Sequence, residues 1–130
     1  MMGMTEYLRR KHGICDIKYH VVWITKCRYK VLTGDLAVRA RGLLTQICAE
    51  REITIVQGSV GKGHVHMLIS CPTSLAPSKI IQHLKGTSSR ILHQEFKHLV
   101  KRYWGQHLWA RGYFCATVES VTKQMIQDYF

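Results

Sequence analysis

Two runs of β-favouring residues, Ile53 to Val60 and His64 to Cys71, are separated only by Gly61-Lys62-Gly63. So short and glycine-rich a connection allows only a reversal between antiparallel strands, so the centre of the chain predicts a β-hairpin. Side chains two apart on a strand share a face. In the second run this places His64 and His66 on one face, continued by Leu68 and Ser70, and Val65, Met67, Ile69 and Cys71 on the other. The second set is apolar and fits under a helix, so the histidine pair is expected to look away from the core.

The flanking sequence supplies the other elements. Ile17, Tyr19, Val21 and Trp23 alternate with Lys18, His20 and Val22, a strand pattern. From Asp35, Leu36, Ala40, Leu43, Leu44 and Ile47 recur at helical spacing as far as Arg51. Pro72 closes the hairpin, and Pro77 suits the first turn of a second helix, on which Ile80, Ile81, Leu84, Ser88, Ile91 and Leu92 share a face up to about Lys97. A polar and aromatic connection through Trp104, Gly105, Trp109 and Gly112 leads to a strand over Tyr113 to Val118, and Ser120 is a candidate N-cap for a final helix. The order βαββαβα predicts a ferredoxin-like α+β fold, an antiparallel sheet with helices on one face. The 130 residues suit a single domain, with 1–13 a flexible tail, and Met1, Met2 and Met4 are alternative starts.

Nineteen Lys and Arg against eight Asp and Glu leave a net charge of +11, which favours a polyanionic partner through counterion release. Charge alone does not separate DNA from RNA. No stretch approaches the roughly 20 apolar residues of a membrane span, and no apolar segment follows Arg9, Arg10 and Lys11 as a secretory signal requires. A cytoplasmic, nucleoid-associated protein is expected. Cys15, Cys27, Cys48, Cys71 and Cys115 show no C-x-x-C spacing and are expected to be reduced and mostly buried.

The H-x-H pair can approach one metal ion, although an isolated H-x-H is weak evidence. Tyr129 falls in the final helix near Val121, Met125 and Ile126, where a phenol could attack a phosphodiester polarised by a metal; packing of Tyr129 and Phe130 is the plain alternative. Leu84-Lys85-Gly86-Thr87-Ser88-Ser89-Arg90 breaks helical composition with glycine and hydroxyls, consistent either with phosphate contact or with a glycine packed on the sheet. Lys26, Arg28 and Lys30, and Lys101 and Arg102 before Trp104, interleave charge with aromatics as single-strand binding requires, or form a solvated surface.

Gly63-His64-Val65-His66-Met67-Leu68-Ile69, Leu84 to Ser89, Trp109-Ala110-Arg111-Gly112-Tyr113-Phe114 and Ile126-Gln127-Asp128-Tyr129 together resemble the single-tyrosine HUH transposases of small bacterial insertion sequences, the IS200-like family. REP-associated tyrosine transposases share these landmarks, but the compact length is closer to the insertion-sequence enzymes. The resemblance spans roughly Ile17 to Phe130. It implies His64 and His66 as ligands of magnesium or manganese and Tyr129 as the nucleophile that leaves a 5′-phosphotyrosine and a free 3′-hydroxyl. It also implies single-stranded DNA hairpins at element ends as substrate, and a homodimer whose active sites are shared between chains. Lys26, Arg28, Lys30, Lys85, Ser88, Arg90 and Arg111 are the candidate DNA contacts.

The family usually carries a further ligand, Gln, four residues after its tyrosine, whereas this sequence ends at Phe130. The expectation is that water or another residue completes the metal shell. Otherwise the chain is a shortened copy that binds DNA hairpins without catalysis. Two further readings are weaker. An RNA-binding module would carry stacking aromatics where His64 to Ile69 stand, and a phosphodiesterase would need a second H-x-H.

Overall fold

The computed structural model describes residues 16–103 and 107–118. The order is β1 (Asp16–Ile24), α1 (Gly34–Glu50), β2 (Thr54–Val60), β3 (His64–Pro72), α2 (Pro77–Glu95), α3 (His98–Tyr103) and β4 (Phe114–Thr117), with a short 3-10 turn at Lys26–Arg28. The strands form one sheet in the order β2-β3-β1-β4, and each pairing is antiparallel. This is the expected ferredoxin-like α+β arrangement. The tail over 1–13, Cys15, Trp104, Gly105 and the final helix with Ser120 and Tyr129 lie outside the described residues.

The alternation read in the sequence separates the two sheet faces. Val21 and Trp23 of β1 and Val65, Met67, Ile69 and Cys71 of β3 join one core with Leu36, Ala40, Leu43, Leu44 and Ile47 of α1 and Ile80, Ile81, Leu84 and Leu92 of α2. Fully burying one such aliphatic side chain is worth about 1.5–3 kcal/mol, so this one-sided packing fixes the pleat of every strand. In β2 the register slips between Ile55, opposite Ile69, and Gln57, opposite Leu68. Val56 is the extra residue and is exposed, so the bulge keeps both flanking segments in phase with β3.

The connection after α2 is more ordered than expected. Helix α2 stops at Glu95 rather than Lys97, because Phe96 leaves helical geometry (φ −120°, ψ 89°). The next segment, read as an irregular connection, is helix α3, which buries Leu99 and Tyr103 one turn apart. Its other residues, including Lys101 and Arg102, are polar or exposed, which hid the two-residue anchor from a periodicity reading.

Leu84 to Ser89 does not interrupt α2, which runs unbroken through Gly86. A methyl at Gly86 would meet nothing within 4 Å, so no close backbone approach demands this glycine. The polar residues of the segment instead hold the strand-like connection that leads to β4. Trp109 donates its indole N–H to Ser88 Oγ at 3.0 Å, and Ser89 Oγ accepts from the Leu108 N–H at 3.1 Å. Lys85 Nζ donates to Ala110 O at 2.9 Å and Gly112 O at 2.7 Å. Gly112 adopts φ 81°, a conformation that glycine enters without steric cost. On its other side the connection donates from the Ala110 N–H to Ile24 O and accepts from the Lys26 N–H at Leu108 O. Ser88, expected as a DNA contact, is fully buried, and its hydroxyl donates to Lys85 O and accepts from Trp109.

Cys48 and Cys71 are buried, whereas Cys27 is exposed and Cys115 only partly covered, so burial of the cysteines is less general than expected. Burial pushes the Cys48 thiol up to about 11 and the Cys71 thiol up to about 12, with Cys48, Cys115 and Asp16 adding to the latter. Acids whose folded pKa lies above the unfolded value stabilise the fold fully below that unfolded value, near 9.0, and lose this contribution as pH rises through the folded values. Lys85, held below its ordinary 10.5 by burial, acts in the opposite sense over a narrower window. Stability is therefore expected to be flat between pH 7 and about 8.5 and to fall from there towards pH 11. Urea midpoints across this range test it, and Cys71→Val should flatten the fall; a midpoint that rises with pH would contradict this account.

Candidate active site

The antiparallel register decides what surrounds the histidine pair. Ile24 lies opposite His64, Val22 and Ser59 lie opposite His66, and His20 and Gln57 lie opposite Leu68. Residues directly opposite share a face, so His20, Val22, Ile24, His64, His66 and Ser59 stand together on the side of the sheet away from the helices. His64 and His66 are both partly buried. Burial holds each imidazole below its ordinary pKa, and at His66 the neighbouring His20 and His64 lower it further. Both rings are therefore neutral at pH 7 and carry a lone pair for a cation.

The turn between β2 and β3 shapes the surroundings of His64. The Gly61 N–H donates to His64 O at 2.9 Å, and the His64 ring lies over the bare Gly61 backbone. A methyl at Gly61 would overlap that ring, with its Nδ1 at 2.7 Å. Gly61→Ala is expected to leave the fold within about 1 kcal/mol of wild type, since only the end of one side chain must move, but to swing the His64 ring out of place. Shifted His64 ring resonances beside an unchanged circular dichroism spectrum would bear this out, and an unshifted ring would refute it.

The same turn packs on the segment after β1. Thr25 donates its N–H to Gly63 O at 3.0 Å, and Leu32 donates its N–H to Lys62 O at 2.9 Å. Cys27 and Arg28 take left-handed φ values of 60° and 55°, sparsely populated for residues other than glycine and often associated with functional segments. Between the two segments lies a cavity of about 320 Å³ lined by Ile24, Arg28, Lys30, Lys62, Gly63 and His64. Arg28 and Lys30, expected at the DNA, thus flank His64; Lys26 is exposed on the same turn but does not line the cavity. Lys62 is a cation that sequence reasoning passed over, although its place in the glycine turn before His64 was visible.

A second, larger cleft of about 790 Å³ runs between α2 and the 107–111 connection, with Arg90, His93, His107 and Arg111 among its walls. Lys85 also lines it, but its ammonium is held by Ala110 and Gly112. Arg90 and Arg111, expected at the DNA, are exposed. On the helix side of the turn, Arg102 lies over the Tyr29 ring at 4.8 Å.

Comparisons with known proteins identify the family and the fold. The family model described as "Transposase IS200 like" matches residues 14–130. The chain belongs to the IS200-like transposases. It is 31% identical over 124 residues to the ISDra2 transposase TnpA of Deinococcus radiodurans, covering 95% of this chain and 89% of that protein. It is also 31% identical over 118 residues to the transposase for insertion sequence element IS200 of Salmonella typhimurium, covering 91% of this chain and 77% of that protein. A crystal structure of a Deinococcus radiodurans protein superposes with a TM-score of 0.84 at 29% identity, covering 93% of each chain. The REP-associated tyrosine transposase, solved bound to a REP hairpin, shares the fold with a TM-score of 0.60 at 13% identity, over 92% of this chain and 66% of that one.

An IS200-like transposase processes DNA, and in this chain the H-x-H pair and a cationic pocket lie side by side. The histidines suit the nitrogen portion of a metal shell, being neutral and on one face. Among the described residues no group of three His, Cys, Asp or Glu is gathered to hold a metal ion. Among the described residues, no helix is long and apolar enough to cross a membrane.

Proposed function

We propose that this transposase cleaves and rejoins single-stranded DNA at insertion-sequence ends, with Tyr129 as nucleophile and His64 and His66 as ligands of magnesium or manganese. The observation that carries the reading is the convergence of Arg28, Lys30 and Lys62 on the cavity beside His64, where a phosphodiester would meet positive charge and the histidine face together. The metal, when bound, polarises the scissile phosphate. Arg28, Lys30 and Lys62 hold the strand by its phosphates, and Arg90 and Arg111 offer a second basic surface for the rest of the substrate. The Tyr129 oxygen forms a bond to phosphorus as the bond to the 3′-oxygen breaks, and the phenolic proton is transferred to the departing hydroxyl. The bond energy is kept in the phosphotyrosine, so a 3′-hydroxyl can reverse the step without ATP.

Two tyrosines of the described fold, Tyr19 and Tyr103, suit this role poorly. Burial raises the pKa of Tyr19, and raises that of Tyr103 to about 12. Hairpin DNA is the proposed substrate, in keeping with the REP hairpin bound by the distant structural relative. Because each chain supplies one such tyrosine while strand transfer joins two ends, we place the active sites in a homodimer that shares them.

A second reading, a hairpin-binding protein without catalysis, is favoured because among the described residues no group of three His, Cys, Asp or Glu is placed to hold a metal ion. A denaturing gel separates the two. Labelled hairpins from the element's ends are mixed with protein and magnesium or manganese, beside Tyr129→Phe and His64→Ala. A covalent adduct lost in both variants supports the transferase, whereas hairpin binding without any adduct leaves the binding protein.

A further inference from the structure

We propose that His20 is a positioning residue for His66, accepting a hydrogen bond that fixes the ring's orientation and leaves one chosen nitrogen bare for the metal. The inference rests on the reading of His66 as a ligand. Antiparallel pairing sets His20 opposite Leu68 and Val22 opposite His66, so His20 and His66 are diagonal neighbours on one sheet face. Side chains in that relation can reach one another. Here they do: His20 Nδ1 lies 3.3 Å from His66 Nε2, with ring centroids 5.5 Å apart and planes 29° from parallel. That combination describes two rings meeting edge to edge through these nitrogens rather than overlapping.

A neutral imidazole has one N–H and one bare nitrogen, so a bond between two such rings needs one donor and one acceptor. With His66 donating from Nε2, its Nδ1 carries the lone pair; with His66 accepting there, Nδ1 carries the proton and the ring offers a cation nothing. Ligand histidines characteristically donate their second N–H to an acceptor, which fixes both tautomer and ring angle. His20 supplies that acceptor from the adjacent strand. Val22, fully buried and directly opposite His66, limits the other directions in which the ring can turn.

The test compares His20→Phe, which keeps a ring but removes the acceptor, with His20→Asn, whose side-chain oxygen can occupy the place of Nδ1. Nitrogen-15 chemical shifts of His66 in the metal-free proteins read the tautomer, and titration with manganese reads affinity. Wild type and His20→Asn should both show protonated Nε2 at His66. His20→Phe should show a mixture of tautomers and bind manganese about 10–100-fold more weakly, with circular dichroism unchanged. His66 shifts unmoved in His20→Phe, equal losses in both variants, or a protonated Nδ1 in wild type would each overturn the proposal. If wild type has the expected tautomer, lost in His20→Phe, but binds no manganese, the metal reading fails while the role of His20 in fixing the ring stands.

Discussion

His66→Ala should slow formation of the covalent DNA adduct by at least about a hundredfold while leaving hairpin affinity within about threefold of wild type. Metal polarisation of a phosphoryl oxygen supplies several kcal/mol of transition-state stabilisation, and about 1.4 kcal/mol corresponds to a factor of ten in rate. Under the proposed mechanism, removing one of the two ligand imidazoles weakens that contribution without touching the cations proposed to hold the strand. Arg28, Lys30 and Lys62 line the neighbouring cavity, and His66 does not. The rate should recover in part at higher manganese concentration, because the loss is one of metal occupancy. Single-turnover adduct formation against metal concentration, with hairpin affinity measured separately, is the check. An unaltered rate at limiting metal would remove His66 from the mechanism.

Lys85→Met should lower stability by about 2 kcal/mol, a figure that discounts two charge-assisted hydrogen bonds for the solvent reaching a half-buried ammonium. Nζ binds Ala110 O and Gly112 O, and with Met those carbonyls lose their shared donor. The effect should reach β4, which begins at Phe114, two residues beyond the Gly112 turn. Amide exchange should therefore speed up at Phe114–Thr117 more than at β2, on the far edge of the sheet. The expectation from the sequence that Lys85 contacts DNA makes a different forecast. If Lys85 contacted a phosphate, its replacement by Met would reduce the salt dependence of binding and leave the urea midpoint unchanged. A lowered midpoint with an unaltered salt slope supports the structural role; the reverse pattern would return Lys85 to the DNA surface.

Where sequence and structure agree, a periodic signal was present. The hairpin around Gly61-Lys62-Gly63, the buried face of α2 and the opposite orientations of His64 and Val65 follow from alternation by two or by 3.6. The disagreements lie where a residue's type has two uses. Ser88 and Lys85 look like phosphate ligands by composition, yet one is a buried acceptor for Trp109 and the other a clamp on two carbonyls. Helix α3 escaped because a single turn holding two apolar residues is too short to establish a period. His20 was read only as a strand residue, since nothing within β1 says which residue of β3 it will face.

By itself the sequence determined which side of each strand is apolar, the antiparallel reversal between β2 and β3, and the placing of His64 and His66 on one face, because these are local consequences of chain geometry and solvent preference. Only the tertiary structure decided that β1 lies between β3 and β4, and with it that His20 meets His66. The same docking brought Lys62 beside Arg28 and Lys30, and turned Lys85 towards the chain. Contacts between distant segments depend on register and on how helices settle over the sheet. Those are set by the packing of the whole core at once, and no single stretch of sequence contains them.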